Sequence, residues 1–111
     1  MKEIDFDDFL WIELLSGTVI DVQDFPDARN PSHKIWVDFW EEFWIKKTSA
    51  QVTSYTKEEL LWKQIIWVLN FPPKQVWKFM SEFLLTAFVD EKGTAILAVP
   101  DKKVNNGEKL V

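Results

Sequence analysis

Six lysines recur through the middle of the chain, Lys34, Lys46, Lys47, Lys63, Lys74 and Lys78, with Ser49, Gln51, Asn70 and Ser81 near them. Lysines among hydroxyl and amide side chains can neutralise phosphates, and aromatic rings between them can stack on unpaired bases. Ordinary solvated lysines fit the same spacing, so the pattern alone leaves both readings open. Other chemistries have less to work with. His33 is the single histidine, a loop residue of the solvated kind, so a histidine metal cluster or a Ser-His-Asp relay would rest on one residue without a partner pattern. Zero cysteines exclude disulfides, thiolate metal sites and a thiol nucleophile. The carboxylates Asp5, Asp7 and Asp8, and the pair Glu41-Glu42, stand in short runs of like charge, the pattern of a solvated face. With three glycines and no G-x-G-x-x-G, Walker A, G-x-S-x-G or H-E-x-x-H pattern, no phosphate-cradling loop or zinc helix is legible. The expectation is a binding module that is not an enzyme and carries no cofactor and no metal.

Thirteen basic against 18 acidic residues leave a net charge of −5. No global positive field draws a polyanion in, so nucleic-acid binding requires a local basic patch. The scaffold that must hold such a patch is a single domain: 111 residues with 47% hydrophobic and 28% charged content fill one core. Short apolar segments between turn signals predict a mostly β protein, a small barrel or sandwich. Strands are expected at 17–22, at 35–40, where Ile35, Val37 and Phe39 alternate with Trp36, Asp38 and Trp40, and at 64–70, stopped by Pro72-Pro73. Segments 84–89 and 94–99 flank Asp90-Glu91-Lys92-Gly93 as a hairpin, and Asn105-Asn106-Gly107 marks a second tight turn. Asp5 caps a short helix over 6–10, and Thr56 with Glu59 makes a capping box for 57–61. A loop spans 25–32. Zero cysteines, an acidic start and the absence of an apolar run of about 18 residues predict a cytoplasmic protein with no secretion signal and no membrane anchor.

A series of short stretches then falls in a recognisable order: Ser16-Gly17-Thr18-Val19, Phe25-Pro26-Asp27-Ala28-Arg29, Lys34-Ile35-Trp36-Val37-Asp38-Phe39, Ile45-Lys46-Lys47-Thr48-Ser49-Ala50-Gln51, Asn70-Phe71-Pro72-Pro73-Lys74-Gln75, Phe79-Met80-Ser81-Glu82, and Val99-Pro100-Asp101 with Asn106-Gly107. From Phe9 onward this order resembles the stand-alone tRNA-binding domains, most closely the bacterial CsaA group of export-related chaperones. The resemblance implies a five-stranded OB-fold barrel with short helices, a homodimer, and tRNA or unfolded polypeptide as partner. Related domains are fused to methionyl-tRNA synthetases. Lys46, Lys47, Ser49, Gln51, Asn70, Lys74, Ser81 and Glu82 fall on the family's binding-groove motifs, and Lys78 joins them as a site candidate. Asn70 and Ser81 could equally satisfy backbone groups at strand ends.

The departures from the family are of one chemical kind. Where such a domain carries glycine or another small residue, this chain has Trp40, Trp44, Trp62, Trp67 and Trp77. Leu15 stands near an expected arginine, and Ala87 where glycine is common. Five such rings overfill a core already occupied by aliphatics. Together with Trp36 they are expected to form an aromatic patch or interface. Three uses compete for it: platforms for tRNA bases, a groove for unfolded polypeptide, or an engineered variant of the scaffold. In the last, the tryptophans with Leu15, Phe43 and Phe83 build a new interface, cavity or higher assembly, and tRNA binding is lost.

Overall fold

The computed structural model describes residues 1–41 and 43–111; Glu42, half of the Glu41-Glu42 pair, lies outside them. Along the chain run α1 (Phe6–Leu10), β1 (Leu14–Asp24), β2 (His33–Asp38), β3 (Ile45–Ala50), α2 (Lys57–Leu60), β4 (Gln64–Val68), β5 (Lys74–Val76), β6 (Phe79–Ser81), β7 (Leu84–Leu85), β8 (Ala87–Val89) and β9 (Ala95–Leu97). Five strands form one antiparallel sheet in the order β3-β2-β1-β4-β7, and β5–β6 and β8–β9 are separate hairpins. β1 serves both walls. Its first half pairs with β4 and its second with β2, and a register shift between Val19 and Asp21 bends it where one wall becomes the other. The sheet curls into the expected OB-type barrel.

The seam between β3 and β7 is closed by side chains. The Ser49 N–H donates to Ser81 Oγ (3.0 Å), the Ser81 hydroxyl meets Thr48 Oγ1 (2.7 Å), and the fully buried Thr48 hydroxyl donates to the Phe83 carbonyl (2.6 Å). One backbone bond, Glu82 N–H to Lys47 O (3.0 Å), completes the junction. The tail lies against the start of β1, where Gly107 N–H donates to Ser16 O (2.7 Å) and Ser16 Oγ donates to Asn105 O (2.7 Å). Gly107 has φ +84, and a Cβ there would meet Phe39 O at 2.6 Å, so this turn admits only glycine.

Val19, Ile35, Val37, Phe39, Ile65 and Trp67 are fully buried inside the barrel. Phe39, Trp67 and Phe83 meet edge to face, with ring centroids 5.1 to 6.3 Å apart. Trp67 therefore corrects one expectation, since it belongs to no patch. It points inward on β4, its indole N–H donates to Gly17 O (3.1 Å), and the missing side chain at Gly17 leaves room for the neighbouring Phe39. Leu15 and Phe83 are core residues and Phe43 packs against that core. His33, expected to be solvated, is also buried, with Nε2 2.9 Å from the Tyr55 carbonyl.

Both short helices form where their caps predict. Thr56 Oγ1 accepts from Glu59 N–H (3.1 Å) while Thr56 N–H donates to Glu59 Oε1 (2.9 Å), and that backbone donor, followed by the Thr56 hydroxyl, holds the Glu59 carboxyl below the usual range. β2 ends at Asp38 rather than at residue 40, because Asp38 Oδ1 accepts the Trp40 N–H (2.9 Å) and turns the chain out of the sheet. The segment expected as one strand at 84–89 is split at Thr86, whose N–H and hydroxyl both bind Ile66 O (3.3 and 2.7 Å). β3, β5 and β6 carry no apolar alternation and were not anticipated from pattern.

A Cβ at Gly17 would lie 2.6 Å from Phe39 Cε1 and from Val37 Cγ1, so Gly17→Ala should cost about 1–3 kcal/mol in urea unfolding, the scale of an overpacked core. Thr48→Val, which leaves the buried Phe83 carbonyl without its donor, should cost a similar ~1–3 kcal/mol.

Candidate functional site

β3 alternates about its own axis: Thr48 turns into the barrel, while Lys47 and Ser49 stand on the outer side. Beyond Ala50 the chain leaves the sheet through Gln51 and Val52, facing the loop that follows β1 and the β5–β6 hairpin. The three segments enclose a groove of about 910 Å³. Phe71, Pro72, Val76, Phe83, Leu84 and Leu85 give it apolar walls, and Arg29, Asn30, Ser32, Ser49, Gln51, Lys74, Gln75 and Ser81 supply polar groups. Among the described residues no aspartate or glutamate lines it, although the chain has 18 of them.

Four residues singled out in the sequence meet in this groove: Ser49, Gln51, Lys74 and Ser81. Ser81 also serves the barrel seam, through its bonds to Thr48 and Ser49. The others lie elsewhere. Lys46 is half-buried on the Thr48 side of β3, and Glu82 reaches the seam through its backbone N–H. Asn70 lies outside the groove lining: its Oδ1 accepts the Glu13 N–H (2.9 Å) and its Nδ2 donates to Trp11 O (2.6 Å), tying the segment after α1 to the end of β4. Lys78 sits on the β5–β6 turn with its ammonium 5.8 Å from the Trp77 ring. Lys47 stands beside the groove with its Nζ 5.4 Å from the Phe79 ring. Pattern reasoning missed Arg29, Asn30 and Phe71. Arg29 had a signal, since it is the chain's single arginine, set in a loop rich in turn residues.

The remaining tryptophans of the expected patch sit on several elements. Trp36 is half-buried beneath Phe79, edge-on with centroids 6.0 Å apart. Trp40 and Trp44 share the β2–β3 turn, where Trp44 N–H donates to Trp40 O (2.7 Å). Trp62 precedes β4 and lines a small hollow with Lys63, Val99 and Pro100, and Trp77 is on the β5–β6 turn. All four of these are exposed, and all four have left-handed backbone, with φ of +75, +60, +69 and +57 in chain order. Such φ values suit glycine and strain a bulky side chain.

The structure of the chaperone CsaA from Bacillus anthracis str. Ames is 40% identical, with a TM-score of 0.91 over 99% of this chain and 100% of that one. The chain belongs to the CsaA family. CsaA chaperone protein from Picrophilus torridus is 38% identical, with a TM-score of 0.92 over 98% of this chain and 100% of its own. The methionine–tRNA ligase of Pyrococcus horikoshii is 35% identical over 111 residues, which is 99% of this chain and 15% of the ligase. The chain thus spans only a small part of the curated relatives it matches. No family profile matches it. The CsaA resemblance read from the sequence is upheld in fold and in family. Within this CsaA scaffold, the tryptophans at left-handed positions show where the backbone calls for a residue without a side chain.

Trp62→Gly and Trp77→Gly should each raise stability. Release from the left-handed region returns about 1–2 kcal/mol, and the added freedom of the unfolded chain takes back about 0.4–1 kcal/mol. A higher midpoint of urea unfolding is the expected reading.

Proposed function

We propose that the groove binds RNA, tRNA in the first place, as the site of a non-enzymatic module. The observation that carries this is the charge of the lining: Arg29 and Lys74 with no acidic neighbour in the groove among the described residues, in a chain whose net charge is −5. A polyanion is repelled by most of this molecule and attracted here, which gives orientation as well as affinity. Ser49, Asn30, Gln51 and Ser81 offer donors and acceptors to base edges, and the exposed ring of Phe71 offers a stacking surface. Similarity to a methionine–tRNA ligase supports tRNA as the ligand, and similarity to CsaA chaperones supports polypeptide as a competing occupant of the apolar walls. Charge favours the RNA.

The same reading includes a cytoplasmic setting and a homodimer. Among the described residues no helix is long and apolar enough to cross a membrane. Phe88 and Ile96, directly paired across β8–β9 and both exposed, offer an apolar face for a second copy. A second reading rests on the strained, exposed rings of Trp40 and Trp44, which would instead carry an added apolar interface.

Titration with total tRNA at about 50 and about 200 mM salt should show binding that weakens steeply as salt rises. Arg29→Glu with Lys74→Glu should weaken it at least tenfold, about 1.4 kcal/mol. Unchanged affinity in that variant, or capture of an unfolded polypeptide without any tRNA binding, would sink the RNA assignment. Light scattering should give a dimer mass that Phe88→Asp with Ile96→Asp halves. If Trp40→Gly with Trp44→Gly lowers the mass instead, the interface lies on the β2–β3 turn.

A further inference from the structure

Outside the groove, one ring collects two cations. Phe79 on β6 is buried; Lys34 Nζ lies 5.4 Å and Lys47 Nζ 5.4 Å from its centroid, and Lys34 Nζ also lies 4.9 Å from the ring of Phe25. Phe25 and Phe79 meet edge to face at 5.5 Å, and Trp36 closes the cluster at 6.0 Å from Phe79. Among the described residues neither lysine has a carboxylate within ion-pair distance. Two like charges therefore lie near one ring with no ion-paired carboxylate among the described residues. The rings fix both ammonium groups, so little side-chain freedom is left to lose when an anion arrives.

Their place relative to the groove follows from register. Lys34 pairs directly with Ser49, a lining residue, and Lys47 pairs with Trp36 one step further from the groove on the same outer face. Two residues along a strand span about 7 Å. The lysine pair thus continues the polar side of the groove along the outside of β2 and β3.

We infer that Lys34 and Lys47, seated on Phe79, form a second phosphate-binding position that guides the RNA backbone out of the groove across the outer face of β2 and β3. This rests on the RNA reading of the groove and extends it: the ligand is a phosphodiester chain longer than the groove, and bases are not read at the lysine pair. A purely structural role, in which the ammonium groups only brace Phe79, predicts a change in stability and none in the salt dependence of binding.

The test compares the wild-type chain with Lys34→Gln/Lys47→Gln and Lys34→Arg/Lys47→Arg. Each is titrated with total tRNA and with oligouridines of about 4 and about 12 nucleotides, lengths bracketing what one barrel of this kind covers. For the glutamine variant, the slope of log affinity against log salt should fall by about 1.4 on the longer RNAs, since each single-stranded phosphate contributes about 0.7. Its affinity for the short oligouridine should match wild type, and the arginine variant should restore the slope. Equal slopes in wild type and the glutamine variant overturn the second position while leaving the groove standing. Equal weakening in the glutamine and arginine variants also overturns it, since it marks a structural effect. Absence of any RNA binding by the wild-type chain overturns the groove reading and this one together.

Discussion

The absence of a side chain at Gly17 is the constraint on which this barrel depends. Its place on β1 is where Phe39 and Val37 come closest, and a single methyl group would occupy the same space as both. With that room available, Phe39 turns inward, and Trp67 and Phe83 pack against it edge to face. The Gly17 carbonyl in turn accepts the indole N–H of Trp67, so the largest residue in the core is satisfied as well as buried. Each such aromatic pair adds about 0.5–1.5 kcal/mol beyond burial, and all three share one small volume.

Phe83 links that core to the groove. Its ring belongs to the aromatic cluster, its carbonyl accepts the Thr48 hydroxyl, and its face lines the groove. Through Thr48 and Ser81 the seam of the barrel becomes one wall of the groove. The groove is positioned by the same hydrogen bonds that close the fold, so Ser49 and Ser81 are held by packing and not by a mobile loop. The opposite wall, with Arg29 and Asn30, is a loop of proline and turn residues anchored by buried Phe25 and His33.

Charge and strain are distributed unevenly over this frame. Among the described residues no acidic side chain lines the groove, so Arg29 and Lys74 are the charged groups of its lining. Strain gathers at the turns between strands. Trp40, Trp44, Trp62 and Trp77 occupy left-handed backbone that the tight reversals of the barrel impose, and their rings point to solvent because the core has no space left.

By itself the sequence determined the β class, the family, the two capped helices and the glycine turns, because each rests on local chemistry: a hydroxyl three residues from a carboxylate, or a glycine where φ turns positive. It also offered Ser49, Gln51, Lys74 and Ser81 within a wider candidate set that included Lys46, Lys47, Asn70, Lys78 and Glu82. The tertiary structure alone decided which of the tryptophans is core, since inward and outward depend on Gly17, 50 residues away from Trp67. It alone brought Arg29 and Phe71 to Ser49, and placed Asn70 outside the groove lining, in a tie between the segment after α1 and the end of β4. Spacing along a chain reports neighbours on one element; a groove is made where three elements converge, and that distance is not written in any of them.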